Sequence, residues 1–487
     1  VQHPPVVHTD AGRVRGRWSD GCAVFLGTPY AQPPVGDLRF AAPVAREPWD
    51  GVRDATAPGA TSQSGATGVT LIPEPSVEGD DVLNVNVFTP EPGPGAALPV
   101  LVYLHGGGYV SGSIASPWYR GESFARDGVV TVTVAYRVGF DGFGWVDGGA
   151  SNRGVRDWLL ALEWVQRNIA AFGGDANRVT LAGQSAGGGG VLTLLAMPRA
   201  QGLFRHAWCM SPTAVTVGAD EARMLATAVA RAAGLDSSST HAFGTVPRAR
   251  LTELIPDPLR GGLRALRAGL DGGIPNIGPT IDGELIERST LDALAAGIGG
   301  DTPLVVGGLD DEFTMIADDL PAVIGSAPRP LLFEALGLSG ARRRGYLAAN
   351  DALAREGTRR LVGRFISDTT MRRDVVRAAR ARNAASAATW VYAFSWRSPT
   401  MHWALHCLDV PFFFDVLDAE GVSRIAGARP PGELASAYHG AAVAYVRTGA
   451  AEWTPWSWDS PARIFTDPAP SPDEESGAPY AGLLPLL

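Results

Sequence analysis

Hydrophobic and polar positions follow two distinct rhythms along the chain. Val82 to Phe88 alternates, the two-residue period of a strand. Pro99–Leu104, Val129–Tyr136 and Pro303–Val306 are unbroken apolar runs, and Val179–Ala182 has the composition of a strand. Such runs suit strands covered on both faces. Asn152 to Ala171 has the other rhythm: Val155, Trp158, Leu159, Leu162, Val165 and Ile169 recur at helical spacing, and Gly173-Gly174 ends the pattern. A helix from Val191 to Met197 stops at Pro198.

The flanking regions are less regular. Val6 to Val24 reads as short strands around turns at Ala11-Gly12 and Asp20-Gly21. Residues 27–40 form an ordered Pro/Gly-rich loop, and residues 57–75 a low-charge surface loop. Phe204–Arg267 and Leu331–Arg382, rich in Ala and Arg, read as mostly helical insertions, with caps expected over about 204–275 and 320–385. Thr389–Trp396 is a strand, Tyr438–Val446 a helix and Ala462–Phe465 a last strand. Strands alternating with helices predict the α/β class, a mostly parallel sheet with ligand-binding loops at the C-terminal ends of its strands.

Composition narrows the chemistry. With 487 residues the chain exceeds the usual single core, so one large domain with insertions, or two domains, is expected. A net charge of −9 gives no footprint for nucleic acid or an anionic membrane. All 41 basic residues are arginine, which excludes a lysine Schiff base, a Ser-Lys dyad and a Walker A lysine. Cys22, Cys209 and Cys407 are scattered and form no C-x-x-C, so neither a zinc site nor a disulfide framework is expected. That usage fits the cytoplasm. The first residues show no leader pattern and no apolar run reaches 18 residues; a leader removed beforehand would still allow secretion.

Gly183-Gln184-Ser185-Ala186-Gly187 matches G-x-S-x-G between the strand ending at Ala182 and the helix that follows through Val191 to Met197. A turn that sharp lifts the serine hydroxyl clear of the sheet; the plain alternative is a serine helix cap. The run Leu104-His105-Gly106-Gly107-Gly108 leaves backbone N–H groups uncovered, either an oxyanion loop or a simple turn. A serine nucleophile needs a histidine base and a carboxylate to orient it. His402 and His406 follow a strand and are the leading bases. Asp310, Asp311 and Glu312 follow another and are equal candidates for the acid.

Beyond these motifs, several blocks resemble the type B carboxylesterases, the family of bacterial para-nitrobenzyl esterases, animal carboxylesterases and cholinesterases. FGGDANRVTLAGQSAG (172–187) matches the family's serine signature. Residues 27–40 resemble its N-terminal block, GDDVLNVNVFTP (79–90) its second signature, and residues 151–175 the helix before the serine. The resemblance implies an α/β-hydrolase fold and hydrolysis of carboxylic esters, apolar or aryl ones included, without cofactor or metal. It assigns Ser185 as nucleophile, Glu312 as acid, His406 as base, and Gly107, Gly108 and Ala186 as oxyanion-hole donors. It implies a small-molecule ester substrate. An amide or carbamate hydrolase using the same triad, or a binding module without catalysis, is the alternative. The chain departs from the family's common residues at Gln184 (usually glutamate), Phe313 (usually glycine), Trp158 (commonly glutamine), Val82 (often a disulfide cysteine) and the glycine run Gly188–Gly190.

Overall fold

A computed structural model describes residues 3–62, 71–256, 277–457, 461–469 and 476–487. Its centre is one eleven-stranded sheet. In chain order the strands are β1 (Arg17–Ser19), β2 (Cys22–Pro29), β3 (Asn84–Thr89), β4 (Leu98–Leu104), β5 (Val130–Val134), β6 (Gly174–Gln184), β7 (His206–Met210), β8 (Leu304–Leu309), β9 (Thr389–Phe394), β10 (Ala462–Phe465) and β11 (Ser476–Gly477). Across the sheet they run β11-β10-β9-β8-β7-β6-β4-β5-β3-β2-β1. The pairs from β5 through β4, β6, β7, β8 and β9 to β10 are parallel, and both edges are antiparallel.

The continuous apolar runs are strands buried on both faces. In β4, Val100, Val102 and Leu104 join one core, while Leu101 and Tyr103 join a second on the opposite side. Even the alternating stretch has no solvent face: all six residues of β3 are buried, its Asn86 side chain donating to the Ile114 carbonyl at 2.9 Å. Neighbouring segments cover its polar side chains as well as its apolar ones.

The helix predicted at 152–171 runs Arg153–Asn168 and tightens into a last turn at Ile169–Phe172, ended by left-handed Gly173. Its buried Asp157 takes three hydrogen bonds from Arg137, at 2.7–2.9 Å, locking the helix to the segment after β5. Such a pair resists loss of either partner because the survivor would be a buried, uncompensated charge.

One expectation fails. His206–Met210, read as part of a helical insertion, is a parallel strand between β6 and β8. Five residues are too few to show a period, and both faces are covered, so no alternation marked it. The rest of that region holds helices at Ala219–Ala232, Thr240–Gly244 and Arg248–Glu253. The parts of the expected loop at 57–75 and insertion at 204–275 that fall on residues 63–70 and 257–276 lie outside the described residues. Helices at Arg329–Ala335, Gly340–Ala349, Asp351–Glu356, Thr358–Ser367 and Arg373–Ala384 fill the second expected insertion.

Candidate active site

The helix after the G-x-S-x-G motif starts at Ala186 and runs to Leu195. Ser185 is therefore the single residue between β6 and that helix. Its φ of 57° and ψ of −123° are strained for a residue with a side chain. Its N–H donates to the Met210 carbonyl at 2.9 Å and its carbonyl accepts from Gly189 at 2.9 Å, so strand β7 and the helix jointly hold the turn. No capping bond engages the Ser185 hydroxyl.

The turn tolerates no bulk. A Cβ on Gly187 would lie 2.1 Å from the Leu104 carbonyl. The glycines at 188–190 lie within the helix and give neighbouring groups close approach. A Cβ on Gly190 would meet the ring of buried Trp158 at 2.9 Å, so two of the departures noted above fit each other.

Across from the turn, His406 Nδ1 lies 2.6 Å from Glu312 Oε2, with the imidazole 5% exposed and the carboxylate fully buried. The His406 N–H also donates to the Glu312 carbonyl at 2.8 Å. In the neutral imidazole the carboxylate holds the proton on Nδ1 and leaves a lone pair on Nε2. Gln184, the residue before Ser185, reaches His406 Nε2 at 3.2 Å, which brings the imidazole to the elbow. Burial works against charge on His406, but Cys407 and Glu312 outweigh it and hold the imidazole well above its ordinary value.

The three adjacent acids have separate partners. Arg372 binds Asp310 at 2.8 Å; burial would raise the Asp310 carboxyl, but Arg372 and Arg364 hold it below its usual value. Asp311 is bound by Arg360 and accepts from the Ala404 N–H at 3.2 Å. Only Glu312 faces the histidine. Its other oxygen accepts from the Ser211 hydroxyl at 2.6 Å and the Leu309 N–H at 2.8 Å. Ser211 was not anticipated, because it follows the strand that the sequence concealed. His402 is exposed and bonds through its N–H to the Ser398 carbonyl; it takes no part.

The glycine loop folds beside the same turn. Gly107, with φ of 105°, has its carbonyl accepting from the N–H groups of Val110 and Ser111, and a Cβ there would strike the Ser111 carbonyl at 2.3 Å. A Cβ on Gly106 would meet Ser185 Cβ at 3.1 Å, so loop and elbow touch. Among the described residues no backbone hydrogen bond consumes the N–H of Gly107, Gly108 or Ala186. His105 packs its ring on Tyr136 and bonds the Gly106 carbonyl; burial pushes its imidazole down to about 4. Tyr109, Trp118 and Phe412 are buried core residues, whereas Phe313 lies against His406.

Comparison with known proteins identifies the family. The model of the carboxylesterase family matches residues 3–446. Para-nitrobenzyl esterase of Bacillus subtilis (strain 168) is 32% identical over 462 residues, covering 91% of this chain and 90% of that protein. Phenmedipham hydrolase of Pseudarthrobacter oxydans is 34% identical over 467 residues, with the same coverage of 91% and 90%. A crystal structure of a Geobacillus stearothermophilus carboxylesterase superposes with a TM-score of 0.78 at 30% identity, covering 95% of this chain and 96% of that one. This chain belongs to the carboxylesterase family and is a serine carboxylesterase of the α/β-hydrolase fold.

Proposed function

We propose that Ser185, His406 and Glu312 are the catalytic triad, and that the N–H groups of Gly107, Gly108 and Ala186 form the oxyanion hole. The observation that carries this is the buried His406–Glu312 pair, 2.6 Å apart and held at the elbow bearing Ser185. Ser185 Oγ attacks the ester carbonyl as its proton passes to His406 Nε2, and the resulting tetrahedral oxyanion takes the free N–H groups. The C–O bond to the alcohol then breaks, with His406 returning the proton to the departing oxygen. Water, deprotonated by the same nitrogen, attacks the acyl-serine; collapse frees the acid and restores Ser185. One oxyanion donor is typically worth about 2.7–4 kcal/mol of barrier. Glu312 orients the ring and stabilises the imidazolium.

The substrates we assign are small apolar or aryl esters, para-nitrophenyl and para-nitrobenzyl esters among them. A para-nitrobenzyl esterase is among the relatives, and the neutral Gln184 beside the serine offers no charge to a cationic alcohol. We read the chain as one hydrolase domain carrying helical insertions, since a single sheet runs from residue 17 to residue 477. Among the described residues no helix is long and apolar enough to cross a membrane. We place the enzyme in the cytoplasm, a reading supported by its three free, buried cysteines.

Ser185→Ala is expected to lower para-nitrophenyl ester turnover by about 10⁴-fold or more, as loss of a triad nucleophile does elsewhere. It should also abolish labelling by a fluorophosphonate probe. Undiminished turnover in a variant with native circular dichroism would refute the assignment.

A further inference from the structure

His406 is held on more sides than orientation by one carboxylate requires. Glu312 takes the Nδ1 edge. The Phe313 ring lies against a face of the imidazole, with centroids 4.6 Å apart and planes 33° from parallel. The Gln184 side-chain nitrogen lies 3.2 Å from Nε2, to which it donates when the ring is neutral, and donates to Cys407 Sγ at 3.2 Å. Gln184 is fully buried. Two of these contacts come from positions where the chain departs from the common residues of its relatives, and they meet on one ring although 129 residues separate them in sequence (313 − 184 = 129).

The two contacts favour opposite states of the base. An aromatic face attracts a cation lying within about 6 Å of its centroid, so Phe313 favours the imidazolium. A hydrogen bond donated to the bare Nε2 lone pair exists only while that nitrogen is unprotonated, so Gln184 favours the neutral ring.

We propose that Phe313 and Gln184 are positioning residues that set the protonation balance of His406 in opposite senses, Phe313 toward imidazolium and Gln184 toward the free base. This rests on the triad reading above. Glu312, Cys407 and Asp409 are the titratable groups that also act on the ring. They are common to every variant below, except where the Cys407 thiol is deliberately removed.

The test is the pH dependence of kcat/KM for a para-nitrophenyl ester, measured on the full chain. Phe313→Leu should move the acidic limb to lower pH by about 0.3 unit or more, as expected for loss of a partly desolvated cation–π contact. Phe313→Tyr, which keeps the ring, should restore it. Gln184→Glu should move the limb to higher pH by about 1 unit, because a carboxylate beside Nε2 stabilises the protonated ring. Gln184→Met, which loses the donor without gaining charge, should move it the same way by less. Repeating the measurements with Cys407→Ala ensures that the thiol does not supply the limb. Limbs that stay within about 0.2 unit of the parent, well below the shifts expected here, or that move in the same direction for Phe313→Leu and Gln184→Glu, would overturn the proposal. If Phe313→Leu does not fold, Phe313→Met and Gln184→Met decide: a limb moved down by the first and up by the second supports the proposal, and unmoved limbs refute it. Ser185→Ala separates the two readings. If that variant stays active, the triad assignment fails; if it is dead and the limbs do not move, only the tuning by Phe313 and Gln184 fails.

Discussion

At the scale of single residues, the acid we propose for the triad is selected by its neighbours. Asp310, Asp311 and Glu312 are chemically near-equivalent in sequence, and the arginines that claim the first two come from helices far along the chain, at Arg372 and Arg360. Among the described residues Glu312 meets no guanidinium; its ligands there are His406, Ser211 and the Leu309 N–H. Ser211 thus acts on the reaction through Glu312. A hydrogen bond to a charged group is worth about 1.5–3 kcal/mol, so Ser211→Ala is expected to lower kcat roughly 10- to 100-fold with little change in KM. Steady-state kinetics check this, and the buried carboxylate keeps the Leu309 donor. The resemblance to relatives singles out Glu312 and His406 from sequence. Ser211 had no such signal, because a lone serine after an unrecognised strand carries no pattern.

At the scale of elements, the elbow is a fit between a glycine run and a tryptophan. The helix Ala186–Leu195 tolerates four consecutive glycines, each costing about 0.5–1 kcal/mol in propensity, because neighbours occupy the space their side chains would need. Gly190 meets Trp158 and Gly187 meets the end of β4. Gly190→Ala is therefore expected to destabilise despite alanine's better propensity, by about 1–3 kcal/mol from overpacking. Urea unfolding should show the loss, and Trp158→Phe in the same chain should recover part of it. The strong helix at 153–168 was legible because eleven of its sixteen residues are buried at one repeating spacing. Strand β7 was not: a five-residue element covered on both sides has no period to read.

For the molecule as a whole, closing two cores over one sheet buries ionisable groups whose charge then depends on pH. Asp409 is fully buried, with Oδ1 unpartnered and the Tyr392 and Tyr438 hydroxyls 3.4–3.5 Å from Oδ2. Burial, reinforced by Glu312, pushes its carboxyl up to about 7. The folded protein therefore holds a proton that the unfolded chain has released above about pH 4, the ordinary aspartate range. Where the folded state binds more protons, raising the pH lowers stability, so this contribution declines between about pH 4 and 7, at most about 1.4 kcal/mol per pH unit. Asp409→Asn removes the effect. Thermal unfolding should show the variant gaining on the parent at pH 8 relative to pH 5, and an equal difference at both would contradict the burial argument.

Sequence alone made legible the α/β class, the serine at a strand-to-helix turn and the glycine loop, and its resemblance to relatives named the acid and base that we propose. These are properties of short segments: hydrophobic period, turn chemistry and motif spacing act over a few residues and leave a local trace. Tertiary structure alone decided that β7 joins the sheet, that Ser211 supports the acid, that Trp158 fills the space left by Gly190, and that Phe313 and Gln184 close on one imidazole. Each of those depends on contacts between segments distant in the chain, and no local pattern encodes which distant surface a side chain will meet.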